Sequence, residues 1–373
     1  GCVRIMKISC TQERLNKGLA TVSRIVGTRT TLPVLSNIYI EAKGGELKLS
    51  ATDLEIGITT SIGAKVDEEG ALTIPARLIS EFVANNDDES IEMSSHEQTL
   101  HLKSERYEAN IKGIDPAEFP QVPDITKDSL IDLSADDFKR SISEVIIACA
   151  NDDTRPVLAG LYFKFEKNAL YLVATDSYRL AEKRIEIAKS EIEKEFIVPA
   201  RTMHEVLRIA SGAEKLENIA IFATENQVSF SIGDTLVVSR LIEGSFPNYK
   251  QIIPTAFASR AELELKEFSS AVKMAALFAR QGANNIKIKF IDSKLVITSV
   301  ADQVGDNIST VPAAIEGEEV EIAFNAKYIT DILQVLADKK VIFEVSDKSS
   351  PGVIKTDKSK GYLYIIMPLR VEE

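Results

Sequence analysis

The sequence predicts an α+β protein made of three copies of one domain, each an antiparallel sheet carrying two helices. Three repeated markers predict it. The stretch "TIPARLISEFV" at Thr73 to Val83 is an apolar strand, then Pro-Ala-Arg, then a helical period. The device returns as "IVPARTMHEVL" at Ile197 to Leu207. It returns again, with Asn-Ala-Lys, inside "EIAFNAKYITDIL" at Glu321 to Leu333. Pro199 follows Pro75 by 124 residues, and Asn325 follows Pro199 by 126. The second marker is Ala51-Thr52-Asp53, which recurs 123 residues later as Ala174-Thr175-Asp176; "LVITSVADQ" takes that place in the third part. The third marker is an opening helix, in which Leu15 matches Phe138 and then Phe268. Such a period is far too long for a solenoid unit of about 20–50 residues. The copies are read as 6–127, 128–256 and 257–373, with Met6 as the natural start and 1–5 as an upstream remnant.

Within the first copy, the opening helix is expected near 11–26. Leu15, Leu19, Val22 and Val26 recur at helical spacing and form its core stripe. A second helix is expected near 77–85. The segments "VLSNIYIEA", "ELKLSATD", "GITTSIGA", "GALTIPA", "SIEMSS", "QTLHLKS" and "YEANIKG" alternate in polarity between Gly-, Asn- and Asp-rich turns, and are read as strands. Helices set against one face of an antiparallel sheet define the α+β class.

The chain has 373 residues, 45% of them hydrophobic, enough for more than one core. No apolar run approaches the ~18 residues of a membrane span, and the opening "GCVRIMKIS" carries no signal-peptide pattern. Cys2, Cys10 and Cys149 lack any metal or redox spacing and read as reduced thiols of a cytoplasmic protein.

The formal net charge is −12, which argues against simple coating of nucleic acid. Yet basic residues gather on the helices. Arg14, Lys17 and Arg24, with Thr21, share the helix face opposite the core stripe, and Arg29 follows in the next loop. Arg77, Arg201 and Lys327 stand in the first turn of three aligned helices, where the helix dipole disfavours a cation. An anion facing those turns would account for the arrangement. There is no helix-turn-helix, zinc finger or aromatic RNA-binding pattern. The expected contacts are therefore to phosphates, independent of base sequence.

Several segments, taken in order with the threefold period, carry a family resemblance: "TLPVLSNI" (31–38), "ATDLEI" (51–56), "IPAR" (74–77), "ATDSYRLA" (174–181), "SRLIEGSFPNYKQIIP" (239–254) and "YIIMPLR" (364–370). From Met6 onward the chain resembles the bacterial sliding clamp, the beta subunit of DNA polymerase III. The resemblance implies a head-to-tail homodimeric ring with helices lining a hole that encircles double-stranded DNA. A domain of this size is roughly 35 Å wide. Three in a closed triangle leave a gap of a few ångströms; six leave about 30–35 Å, wide enough for a duplex. Tyr107 and Ala109 of one copy would then meet Leu277 and Phe278 of the other.

The resemblance also implies a pocket for short hydrophobic motifs of the polymerase alpha subunit, other polymerases, the clamp loader and repair proteins. Its expected residues are Leu158, Thr175, Tyr178, Arg179, Leu180, Pro247, Gln251, Ile252, Met367, Pro368, Leu369 and Arg370. Leu, Met and Pro would supply the apolar slot, and Arg179 and Arg370 would hold polar groups at its rim. Ser177-Tyr178, Gln251 and the tail Val371-Glu372-Glu373 depart from the family pattern.

An enzyme is the rival reading, above all a metal-dependent hydrolase using Asp53 and Asp176. Turn chemistry at a strand end explains those aspartates more simply. His96, His101 and His204 belong to no metal or triad motif, and no phosphate-binding glycine loop is present. No cofactor or metal is expected. A DNA-free interaction scaffold is the remaining alternative.

Overall fold

The computed structural model describes residues 5–27, 30–126, 130–152, 154–188, 192–356 and 361–370. Arg29, Cys2, the expected boundary at 127/128 and the tail 371–373 lie outside the described residues.

The first copy contains β1 (Lys7–Thr11), α1 (Gln12–Ser23), β2 (Asn37–Lys43), β3 (Glu46–Thr52), β4 (Ile56–Gly63), β5 (Lys65–Glu68), β6 (Gly70–Pro75), α2 (Ala76–Ala84), β7 (Ser90–His96), β8 (Thr99–Lys103) and β9 (Glu108–Lys112). The second contains β10 (Ile131–Ser134), α3 (Ala135–Ile146), β11 (Gly160–Glu166), β12 (Ala169–Thr175), β13 (Arg179–Glu186), β14 (Lys194–Pro199), α4 (Ala200–Gly212), β15 (Asn218–Ala223), β16 (Gln227–Ile232) and β17 (Thr235–Arg240). The third contains β18 (Ser259–Glu264), α5 (Leu265–Ala279), β19 (Asn285–Ile291), β20 (Lys294–Ala301), β21 (Gly305–Pro312), β22 (Ala314–Gly317), β23 (Val320–Asn325), α6 (Ala326–Val335), β24 (Lys340–Val345), β25 (Gly352–Lys355) and β26 (Tyr362–Ile366). Among the described residues the chain is thus α+β, with antiparallel strand pairs throughout and two α-helices per copy.

The local signals explain most of this. The Thr11 hydroxyl caps α1 by accepting from the Arg14 amide, and Leu15, Leu19 and Val22 are fully buried. The helix ends at Ser23, earlier than expected, so Ile25 rather than Val26 fills the next core position. β7 alternates, with Ile91 and Met93 inside. The start of "VLSNIYIEA" is a 3-10 turn opened by Pro33, and β2 begins only at Asn37. Two strands of the first copy were not signalled. β1 runs into α1 with no turn residue between them, and β5 is a short, mostly exposed edge.

The copies do not coincide with compact bodies. By contact, the chain divides into residues 1–136 with 204–241, and 137–203 with 242–373, so the middle copy is shared. The cause is sheet continuity. In the first body, β4 pairs with β17, joining strands of the first and second copies in one eight-stranded sheet. In the second body, β13 pairs with β26, joining strands of the second and third copies in a nine-stranded sheet. Among the described residues, β9 at one end of the five-stranded sheet and β21 at one end of the four-stranded sheet each pair on one side only.

Candidate functional site

The turn between β12 and β13 is a backbone clamp. The Thr175 hydroxyl donates to the Arg179 carbonyl at 2.7 Å and accepts from the Ser177 amide at 3.1 Å. The Asp176 carboxylate accepts from the amides of Tyr178 at 2.9 Å and Arg179 at 3.0 Å. Ser177 is held at φ 78°, a left-handed conformation that non-glycine residues rarely adopt. The clamp turns Tyr178 outward, 61% exposed, and Arg179 inward.

Arg179 does not stand free at a rim, as its expected role required. Its side chain is 5% exposed. Nε donates to Asp176 at 3.1 Å and Nη1 to Asp331 at 2.6 Å, while the guanidinium lies 4.5 Å from the centre of the Tyr328 ring. Burial opposes the charge, but Tyr364, Asp331 and Asp176 outweigh it, and the pKa is raised above the ordinary arginine range. A planar fork with each arm engaged is a brace.

The C-terminal segment is tied to this turn. The Met367 amide donates to the Tyr178 carbonyl at 2.9 Å, and the Leu369 amide to the Ala323 carbonyl at 2.8 Å. Met367, Pro368 and Leu369 are half-buried, and Arg370 is exposed. Leu180 sits opposite Ile365 in the β13–β26 ladder and packs in a core cluster with Tyr162, Tyr249 and Ile365. Tyr249 donates its hydroxyl to Glu182, and Phe246 stacks on Tyr162 at 4.6 Å. Those two anchors fix the 3-10 turn Tyr249–Ile252 and leave Pro247, Gln251 and Ile252 exposed. Leu158 and Leu180 are walls of the core, 1% and 0% exposed. Sequence reasoning missed the supporting residues Asp331, Tyr328, Phe246 and Tyr249. Asp331 had a signal, since it aligns with Glu81 and Glu205 in the repeat.

The basic group is exposed. Arg14, Lys17, Arg24 and Arg201 are exposed. Arg77 and Lys327 are the second residues of α2 and α6, and each pairs with the acid one turn on: Arg77 with Glu81 at 2.8 Å, Lys327 with Asp331 at 2.7 Å. These partners offset part of the dipole penalty that made the cations conspicuous. A cation placed before its acid is the weaker orientation on a helix, and exposed pairs are worth only about 0–1 kcal/mol. A phosphate can therefore take such a cation at little cost.

At the free edge of the four-stranded sheet, Met274 and Leu277 on α5 and Ile308 on β21 are 50%, 55% and 67% exposed, with Phe278 half-buried beside them. At the free edge of the five-stranded sheet, Tyr107 is 40% exposed and Ala109 half-buried. Asp53, like Asp176, caps its own turn by accepting from the Glu55 and Ile56 amides. Among the described residues no group of His, Cys, Asp and Glu is placed to hold a metal ion, and no helix is long and apolar enough to cross a membrane.

Comparison with known proteins covers nearly the whole chain. Family models for the DNA polymerase III beta subunit match in three parts: the N-terminal domain at residues 6–123, the central domain at 132–248 and the C-terminal domain at 250–370. The beta sliding clamp of Synechococcus elongatus is 32% identical over 98% of this chain and 100% of its own length. That of Staphylococcus aureus is 32% identical over 93% of this chain and 94% of its own. Among solved structures, the DNA polymerase sliding clamp from Bacillus subtilis superposes with a TM-score of 0.94 at 28% identity, over 98% of this chain and 100% of that one. A sliding clamp from Bartonella birtlesii bound to griselimycin superposes with a TM-score of 0.92 at 29% identity, over 98% of this chain and 100% of that one.

Proposed function

The chain belongs to the DNA polymerase III beta subunit family, the beta sliding clamps, and we propose that two copies of it close head to tail into a ring that encircles duplex DNA. The ring is a non-catalytic processivity factor of the cytoplasm. It tethers the polymerase, the clamp loader and repair proteins through short apolar motifs held by the Met367–Leu369 segment and the 175–180 turn. We assign domains 6–127, 128–256 and 257–373 to this ring.

The observation that carries the reading is the pair of open edges. Each junction along the chain joins one type of strand to one other type. β4 takes β17, and its counterpart β13 takes β26. The third member of the first type is β21, and the third of the second type is β9; among the described residues each pairs on one side only. A long open edge is a template for another strand. Pairing β21 of one copy with β9 of the next repeats the same junction between chains, and head-to-tail contacts of this kind close into rings. Exposed Leu277 and Ile308 on one side and Tyr107 on the other give the seam apolar surface to bury.

The helix cations then supply sequence-independent phosphate contacts: Arg14, Lys17, Arg24, Arg77, Arg201 and Lys327, with Arg29. Griselimycin, found on a similar clamp, is assigned to the same apolar site here. The test is topological. Loaded on nicked circular DNA, the protein is retained through gel filtration and is released when the circle is cut. Retention on linear DNA with free ends would refute encirclement.

A further inference from the structure

We propose that Asp331 is a positioning residue that couples the DNA-facing Lys327 to the motif-binding site. This inference rests on the clamp reading above and names a link between its two sites.

One carboxylate serves two cations. Asp331 Oδ2 accepts from Arg179 Nη1 at 2.6 Å and lies 2.7 Å from Lys327 Nζ, while Oδ1 is 3.0 Å from the same ammonium. The two cations differ in environment. Lys327 is 59% exposed in the first turn of α6, among the positions assigned to phosphate. Arg179 is buried, and its other arm holds Asp176. Asp176 is the residue that fixes the 176–179 turn, and the Tyr178 carbonyl of that turn holds the Met367 amide. A continuous set of contacts therefore runs from Lys327 through Asp331, Arg179 and Asp176 to Met367. At the aligned place in the middle copy, Glu205 pairs with Arg208, and Ile56 stands where Arg179 does.

The direction follows from the sharing. When a phosphate takes the exposed ammonium, Asp331 is left wholly to Arg179. The brace tightens, the 176–179 turn is held in one form, and the apolar site is organised before a motif arrives. DNA in the ring thus raises affinity for the tethered partner. By linkage, an occupied site favours the phosphate contact to the same extent.

Lys327→Gln imitates the captured lysine by removing its hold on Asp331. Calorimetry of the intact protein with griselimycin is expected to show binding about five-fold tighter, at the low end of known couplings. Asp331→Asn keeps the shape but removes the charge, and is expected to weaken binding about ten-fold, with recovery in Asp331→Glu. In the Asp331→Asn background, Lys327→Gln should change nothing, since the shared carboxylate is gone. A purely structural role for Asp331 would instead leave the Lys327 effect intact. If Asp331→Asn fails to fold, Lys327→Gln alone decides: unchanged affinity overturns the coupling while leaving the site itself standing. A wild-type chain that does not bind griselimycin overturns the site assignment and the coupling with it.

Discussion

The Met367 amide donates to the Tyr178 carbonyl at 2.9 Å, and the Arg240 amide donates to the Glu55 carbonyl at 3.0 Å. These are one bond made twice, at equivalent places in the two internal junctions. The surroundings differ. In the second junction Leu180 packs under Tyr249, and the half-buried Met367 to Leu369 segment runs alongside. In the first, Gly57 replaces Leu180, and Val122 crowds it so closely that an added Cβ would lie 2.7 Å from its Cγ1. The chain fills one junction with its own valine.

The apolar site is therefore expected only at the second junction. Met367→Ala with Leu369→Ala should weaken griselimycin binding by about 1–2 kcal/mol for each anchor removed if both are hot spots. Leu54→Ala, at the exposed tip of the equivalent first turn, should leave it unchanged. Calorimetry checks both. Undiminished affinity in the double variant would remove the C-terminal segment from the site.

The repeat, the class and most strands were legible because each is written in local periodicity. The residues expected of the site came only from the resemblance, and Arg179 stands in a setting the resemblance did not imply. Arg179 reads from sequence as a rim cation, but its partner Asp331 is 152 residues away, and no local rule reveals that pairing. Tyr249 and Phe246 were hidden likewise, since their anchors Glu182 and Tyr162 belong to other strands. The first-turn cations were legible as positions, but not as partners of the acid one turn later, although both residues were in view.

Salt dependence tests the basic helices. Arg77 is 86% exposed and pairs with Glu81 at 2.8 Å. Arg77→Gln with Arg201→Gln, in both protomers, should lower the salt slope of DNA binding by about 0.9 for each phosphate that is no longer neutralised. The effect should not depend on base sequence, since contacts to phosphate carry no sequence information directly. A slope equal to that of the wild type would place these arginines away from DNA.

The seam is open to charge. Leu277 is 55% exposed, and Phe278 beside it is half-buried. Leu277→Asp would bury an unpaired carboxylate on association, which costs several kcal/mol. Sedimentation should show monomers with native circular dichroism. Phe278→Asp carries some risk to the fold, so the single change at Leu277 is the cleaner probe. A dimer that persists at low concentration would exclude Leu277 from the interface.

The register of the seam can be stated in advance. In the first junction Ile58 pairs with Val237, and in the second Ala181 pairs with Tyr364. Within their own sheets Ile58 lies opposite Ala51, Ala181 opposite Ala174, and Asn307 opposite Ser299. On the other side, Val237 lies opposite Phe230, Tyr364 opposite Ile354, and Ala109 opposite Leu102. Carrying the junction to the open edges sets Asn307 of one chain against Ala109 of the next. Facing residues of an antiparallel pair have Cα atoms about 4.5–5.5 Å apart, within the range of a disulfide. Asn307→Cys with Ala109→Cys, in a Cys2→Ser background, should crosslink two chains under mild oxidation and close a ring that resists denaturant. The remaining thiols should stay silent, because burial pushes Cys10 up to about 11 and Cys149 up to about 12, leaving almost no thiolate at pH 8. Moving one cysteine from Asn307 to Ile308 shifts its side chain to the other face of the strand and should abolish the crosslink. Efficient crosslinking at Ile308 but not at Asn307 would show that the junction between chains is out of register with the two inside the chain.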